Sequence, residues 1–136
     1  MPLITRSANA SGDSTHLIKV PQISGDEYAG EALDACAPCY KKASDGLWYM
    51  SNGTAANEAA RCMGFTARAV AQGQPVTIYR LGARFGYGSG LTIGQRLYVG
   101  ATAGRLDTAA TTGGTEPVAE VITPTDIQVI AMRTGA

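Results

Sequence analysis

Pro75-Val76-Thr77-Ile78-Tyr79-Arg80-Leu81 and Asp126-Ile127-Gln128-Val129-Ile130-Ala131-Met132 are the two segments of this chain that decide its fold class. Both are rich in β-branched residues and alternate apolar with polar side chains, the pattern of a half-buried β-strand. Alternate residues then share one face of their strand: Val76 and Ile78 in the first segment, and Ile127 and Val129 in the second. Two strands with the same composition and alternation indicate that the sequence repeats a structural unit.

The repeat extends upstream of both strands. When Leu33 is placed over Leu91, one offset also matches Cys39 with Leu97, Tyr40 with Tyr98 and Gly46 with Gly104. A shorter loop in the second copy then places Cys62-Met63-Gly64-Phe65 over Pro117-Val118-Ala119-Glu120, and 76–79 over 127–130. Because internal repeats dictate architecture, we expect an all-β fold. The expected fold is a small antiparallel β-barrel or sandwich built from two similar β units, residues 33–81 and 91–133, with pseudo-twofold character.

The turns inside each unit support antiparallel pairing. Asp45-Gly46 separates two apolar runs, and Asp-Gly is a strong hairpin signal because it tolerates positive φ. The segment 54–61 has good helix propensity, with Thr54 as a candidate cap, but its counterpart 108–115 does not. We therefore predict a loop in both units, with at most one helical turn in the first, and a flexible glycine-rich connector at 82–90.

The first thirty residues differ from the rest, since residues 7–15 contain nothing that nucleates a helix or strand. The run that follows, Leu17-Ile18-Lys19-Val20 with Pro21 and Ile23, fits an edge strand, because proline lacks the donor that a central strand needs. It also fits an arm whose apolar side chains lie on another chain, which is the interpretation we favour. We thus expect an extended N-terminal arm at 1–30 and a β domain at 31–136. The predicted partner-binding residues of the arm are Leu17, Ile18, Val20 and Ile23.

Composition argues against several classes of function. Eleven basic and eleven acidic residues among 136 give a formal net charge of zero, so no nucleic-acid partner is expected. Only 16% of residues are charged, and such a surface is poorly protected against self-association. No apolar run approaches the roughly 20 residues that span a bilayer, and a signal-peptide pattern is missing. We therefore expect no membrane partner, and synthesis in a cytoplasm.

Three cysteines raise the question of a metal site. Cys36-Ala37-Pro38-Cys39 is a C-x-x-C motif which, with Cys62 and His16, could supply a Cys3His zinc site. A second pair is missing, however, and Cys39 matches the apolar Leu97 of the other copy. We therefore interpret the cysteines as buried thiols that act as small hydrophobes and expect no metal or cofactor. A disulfide between Cys62 and either Cys36 or Cys39 stays open.

Nothing in the sequence predicts catalysis. Gly86-Tyr87-Gly88-Ser89-Gly90 lacks the first glycine of a nucleophile elbow and the third glycine of a dinucleotide fingerprint. A single histidine makes acid–base or triad chemistry improbable, so we expect no enzyme. Aromatic residues in small β domains are commonly core plugs or interface anchors, and the candidate interface aromatics are Trp48, Tyr49 and Tyr87.

The repeat unit resembles the small β modules of tailed-bacteriophage structural proteins. The resemblance covers about three quarters of the chain. It is carried by 33–79, with its Ala-Cys-x-Pro-x-Tyr strand, Asp-Gly turn and Gly-Gln-Pro-Val-Thr-Ile strand, and by 91–130. It implies a capsid decoration (cement) protein on the outer surface of a phage head, in the virion. Its implied partners are the major capsid protein and further copies of itself, as a trimer more often than a dimer. The three cysteines and the long arm depart from the pattern.

Two other functions remain open from the sequence. The tyrosines could make this a carbohydrate- or receptor-binding β module of a phage tail or head fibre. A small cupin-like enzyme is improbable, because such metal sites normally need several histidines.

Overall fold

Two five-stranded antiparallel sheets make up the body of the protein. The computed structural model describes residue 3 and residues 21–132, and these contain no α-helix. The first sheet has the order β1-β5-β4-β2-β3, with strands β1 (Gln22–Ile23), β2 (Pro38–Lys41), β3 (Trp48–Met50), β4 (Gly64–Thr66) and β5 (Ile78–Tyr79). The second has the order β6-β10-β9-β7-β8, with strands β6 (Arg84–Gly86), β7 (Arg96–Val99), β8 (Leu106–Asp107), β9 (Ala119–Val121) and β10 (Asp126–Val129). The prediction of an all-β, sandwich-like fold is confirmed.

The two sheets repeat one topology, as the sequence repeat predicts. Strand β2 pairs with β4 through Pro38 and Phe65, and in the second sheet β7 pairs with β9 through Arg96 and Glu120. These are the positions that the sequence repeat equates, since it places Phe65 over Glu120. The predicted equivalence of β2 with β7 and of β4 with β9 is therefore confirmed.

The residue-by-residue equivalence between β5 and β10, the final strands of the two units, differs from the prediction. Phe65 pairs with Tyr79, while Glu120, at the equivalent position, pairs with Gln128. Ile78 is thus equivalent to Ile127, two residues away from the predicted match. Because side chains alternate with a period of two along a strand, the shift leaves every side chain on its predicted face.

Each unit also begins earlier than predicted. Gln22 of β1 pairs with Tyr79, and Arg84 of β6 pairs with Gln128, so β1 and β6 are equivalent first strands. The connector at 82–90 therefore contains a strand, and residues 22–23 of the predicted arm lie in the first sheet. Ile23 is an edge-strand residue of the first sheet, and the nearby Ala29 is buried. Strands of two or three residues are too short to show any periodicity in the sequence.

The two units pack through unlike faces. The intersheet core consists of Cys62, Phe65, Ala83, Leu97, Val99, Val118, Ala119, Val121, Ile127 and Val129. Phe65 contributes to it from the first sheet, and its ring centroid lies 5.4 Å from that of Phe85. Ile78 and Cys39 lie elsewhere, although their equivalents Ile127 and Leu97 belong to the intersheet core. A twofold axis between the sheets would bring like faces together, so the predicted pseudo-twofold character is wrong.

The opposite face of the first sheet has a core of its own. This inner core consists of Ala29, Leu33, Ala37, Cys39, Trp48, Val76 and Ile78. It is covered by segments that pair with each other outside the named strands, through Leu33 with Val70 and Tyr28 with Pro75. The 67–77 loop forms part of this cover and is longer than its equivalent in the second unit, the 122–125 loop. The second unit needs no such loop, because the first sheet covers the equivalent face of the second sheet.

The outer face of the second sheet is polar. At the positions equivalent to Phe65 and Tyr79 it carries Glu120 and Gln128. Two ion pairs lie along this sheet, between Arg84 Nε and Asp126 Oδ2 at 3.2 Å and between Arg96 Nε and Glu120 Oε2 at 3.8 Å. Exposed pairs of this kind contribute little to stability, and they leave this face solvated.

The segment with helix propensity forms one short turn. A 3-10 helix spans Glu58–Ala60, and the side chain of Asn57 caps it by accepting a hydrogen bond from Ala59 N–H at 3.0 Å. The predicted loop with at most one helical turn is confirmed, but the cap is Asn57 and not Thr54.

The equivalent turn glycines Gly46 and Gly104 both adopt positive φ, at 71° and 76°. They differ in their surroundings. An added Cβ at Gly46 meets nothing closer than 4.0 Å, whereas one at Gly104 would collide with Met50 Sδ and lie 3.4 Å from Ala37 Cβ.

We expect Gly46→Ala to lower the free energy of unfolding by about 1 kcal/mol, the cost of a left-handed alanine. Gly104→Ala should cost about 3 kcal/mol, because the same backbone strain is joined by an overpacked contact between the units. Urea denaturation of the two variants measures both values. Equal losses would contradict the close packing at Gly104.

Candidate functional site

Trp48 is buried inside its own fold. The side chain is 0% exposed and belongs to the inner core, and its indole Nε1 donates a hydrogen bond to Glu27 Oε1 at 2.7 Å. The backbone of residues 28–30 covers β3, since Trp48 N–H donates to Tyr28 O and Gly30 N–H donates to Trp48 O. The prediction that Trp48 is an interface aromatic is therefore wrong.

Tyr87 is half-buried against the intersheet core. Its hydroxyl oxygen accepts a hydrogen bond from Leu106 N–H at 3.2 Å. Burial raises the pKa of the Tyr87 hydroxyl. This side chain therefore joins the segment after β6 to strand β8, within the second unit.

Tyr49 is the only one of the three predicted aromatics that belongs to a surface group. Its hydroxyl donates to Asp45 Oδ2 at 2.6 Å, and Lys42 Nζ lies 5.2 Å from the ring centroid. The hydrogen bond to Asp45 raises the pKa of Tyr49 to about 12. The ring of Tyr40 lies 6.0 Å away, centroid to centroid. Since Trp48 and Tyr87 lie elsewhere, the three aromatics do not form one binding platform.

Glu27 is the acceptor of a small polar cluster at the rim of the inner core. Its carboxylate accepts hydrogen bonds from Trp48 Nε1 and from Lys41 Nζ, the latter at 3.1 Å. Burial alone would raise the pKa of Glu27, but the hydrogen bonds from Trp48 and Lys41, together with nearby positive charge, lower it below 4.5. The cluster therefore stabilises the fold through an ionised carboxylate.

This arrangement predicts a pH dependence of stability. A carboxyl group whose pKa is lowered by folding stabilises the native state above its unfolded pKa, and that contribution is lost as the pH falls through the folded pKa. We expect the free energy of unfolding of Glu27→Gln to decline less steeply than that of the wild type below about pH 4.5. Urea denaturation at a series of pH values measures this slope. Replacing the exposed Glu116 with glutamine is the control and should keep the wild-type slope.

The three cysteines are free thiols. Cys39 and Cys62 are both 0% exposed, in the inner core and the intersheet core respectively, and burial raises the pKa of each. Cys36 is half-buried and adopts a positive φ of 56° where the second unit has Gly94. Among the residues that the structure describes, no group of three or more His, Cys, Asp or Glu side chains could hold a metal ion. His16 lies outside those residues.

Residues 21–23 lie at an open sheet edge, directly after the apolar run 17–20 of the predicted arm. Leu17, Ile18 and Val20 lie outside the described residues, and the described chain resumes at Pro21, directly before edge strand β1. Pro21 O accepts a hydrogen bond from Arg80 N–H at 2.8 Å. We call residues 21–23 and 80–82 the arm edge. Ile23, the fourth predicted arm residue, is half-buried against the inner core, because β1 is part of the first sheet.

The arm edge carries an exposed apolar side chain that sequence reasoning missed. Leu81 is 52% exposed and follows Arg80 directly. Directly after β1, Ser24 and Gly25 line a groove of about 440 Å³ together with residues of the 67–77 loop. Neither feature has a sequence signature, since both depend on which segments the fold brings beside β1.

No family model matches the chain, and no curated protein matches it either. Within the part of the chain that the structure describes, no helix is long and apolar enough to span a bilayer.

Proposed function

We propose that this protein is a capsid decoration protein. It binds the outer surface of a phage head, bridges neighbouring major capsid protein subunits and assembles with further copies of itself, a trimer being favoured over a dimer. It acts by holding protein chains together and performs no chemistry. Its place is the virion, after synthesis in the host cytoplasm.

The observation that carries this proposal is the place where the arm leaves the body. The apolar residues Leu17, Ile18 and Val20 directly precede Pro21, at the open edge of the first sheet. An extended segment that adds a strand to a neighbouring chain gains affinity from main-chain hydrogen bonds. An apolar arm at an open edge is therefore suited to bridging chains.

The charge of the chain also supports this proposal. The zero net charge allows many copies to lie close together on a particle without long-range repulsion. The aromatic positions do not favour the alternative of a carbohydrate- or receptor-binding module, because Trp48 is buried and Tyr87 is packed into the second unit.

Addition of the purified protein to expanded heads that lack it tests the proposal. We expect the protein to co-sediment with the heads and to raise the temperature at which they release their genome. The double substitution Leu17→Asp with Ile18→Asp should weaken binding at least tenfold, because two carboxylates replace the apolar contacts of the arm.

A matched control places the same two charges at polar positions of the arm. Ser14→Asp with Thr15→Asp adds the same charge and should bind like the wild type. Absence of co-sedimentation by the wild type would refute the decoration role, and equal binding by both double variants would refute the arm's part in it.

A further inference from the structure

We infer that the arm edge accepts the arm of a second copy of this chain, so that copies are joined by an added β-strand. This inference rests on the homo-oligomer in the proposed function and names the surfaces that form it. The donor is the segment 17–20 of one copy. The acceptor is the arm edge of the next copy, which comprises the outer side of β1 and the exposed Leu81, the residue that follows Pro21's partner Arg80.

The outer side of β1 is open to a further strand. Bonded and non-bonded pairs alternate along an antiparallel ladder, and Pro21 O is bonded to Arg80 N–H on the β5 side. The backbone N–H and C=O of Gln22 therefore point away from β5. Within residues 21–132 no strand lies on that side, since β1 is the edge of its sheet.

Beyond Arg80 the backbone that the β1 ladder would meet next is largely engaged. Continued past Pro21, the register of β1 would pair with residues 81–84, and Gly82 and Ala83 already use backbone groups elsewhere. Gly82 N–H donates to Val129 O at 2.9 Å, Ala83 N–H donates to Arg80 O at 3.0 Å, and Ala83 O accepts from Val129 N–H at 2.9 Å. Past Arg80 the chain turns away and enters the second sheet.

Twenty residues precede Pro21, and the apolar run 17–20 comes directly before it in the sequence. Backbone groups of an extended segment need partners when they are buried, and residues 21–132 of the same chain place no strand beside the outer side of β1. A second copy offers the outer side of β1 together with the exposed Leu81. A head-to-tail contact of this kind closes into a ring when the rotation between copies permits, which fits a trimer.

Sedimentation velocity of the full chain in solution, without heads, tests this inference. We expect the wild type to form a closed oligomer, and Leu81→Asp to raise its dissociation constant at least tenfold. Ile93→Asp is the matched control. Ile93 is also exposed, at 66%. It lies near the N-terminal end of β10, where Gly94 N–H donates to Val121 O and Leu91 N–H donates to Pro124 O, whereas the arm edge lies near the C-terminal end of β10. The Ile93→Asp variant should therefore assemble like the wild type.

Hydrogen exchange provides an independent readout of the same contact. The amide of Gln22 should be protected in the wild-type oligomer and should exchange faster in Leu81→Asp. A wild type that is monomeric at about 100 µM, or a Leu81→Asp variant that assembles normally with Gln22 unchanged, would overturn the inference. Binding of such a monomer to heads would leave the proposed function standing, whereas an oligomer that ignores heads would refute the proposed function alone.

Discussion

Replacing Phe65 with alanine should lower the free energy of unfolding by about 4 kcal/mol, the usual cost of removing a buried phenylalanine. Phe65 is 0% exposed and supplies the principal contact from the first sheet to the intersheet core. Its ring packs on Phe85 of the second unit. The loss therefore combines missing apolar burial with a cavity between the two units.

The structure provides a matched control for this variant. Glu120 occupies the position equivalent to Phe65 in the second sheet, but on the solvated outer face. Glu120→Ala should change the free energy of unfolding by no more than about 0.5 kcal/mol. Urea denaturation measures both variants, and similar losses would contradict the packing of unlike faces.

Replacing Gly53 with alanine should cost more than about 3 kcal/mol, through overpacking against backbone that cannot move away. Gly53 lies where the loops of the two units touch, since its N–H donates to Gly100 O at 2.7 Å and its carbonyl accepts from Gly113 N–H at 2.7 Å. An added Cβ would lie 2.5 Å from Val99 O and 2.8 Å from Gly100 O. Neither oxygen belongs to a flexible side chain.

Gly88→Ala is the control for this second variant. Gly88 is exposed, and an added Cβ would have Leu91 Cδ2 as its nearest neighbour, at 4.0 Å. We expect its midpoint of thermal unfolding to stay within a few degrees of the wild type, while that of Gly53→Ala falls well below it. If Gly53→Ala melted with Gly88→Ala, the two loops would not be in backbone contact.

The sequence contained enough information for the central strands and for the repeat. Ile127 and Val129 are buried as their alternation predicts, and Gly46 and Gly104 both take the left-handed conformation that the repeat requires at its turns. Such features are local, because a period of two or a positive φ leaves its mark on a few neighbouring residues.

Other features depend on contacts between distant segments and left no local pattern. Tryptophan is a residue type that is common in interfaces, so the sequence favoured that role for Trp48. Its burial depends on the pairing of residues 28–30 with β3, which the sequence does not show. The two-residue strand β1 is too short to show a period, so Ile23 could not be separated from the arm. Alternation shows that two faces exist but not which of them meets the other unit, and for this reason the pseudo-twofold prediction failed.

The polar outer face of the second sheet limits how far the architecture can be propagated. When units stack through unlike faces, each added unit leaves a free face on which another unit can dock, and contacts of this type can generate open-ended fibres. Here Glu120 and Gln128 replace the apolar side chains by which the first unit docks, and the 67–77 loop already occupies the face on which a preceding unit would sit. Both ends of the stack are thereby closed to polymerisation, in a chain whose zero net charge gives it little other protection.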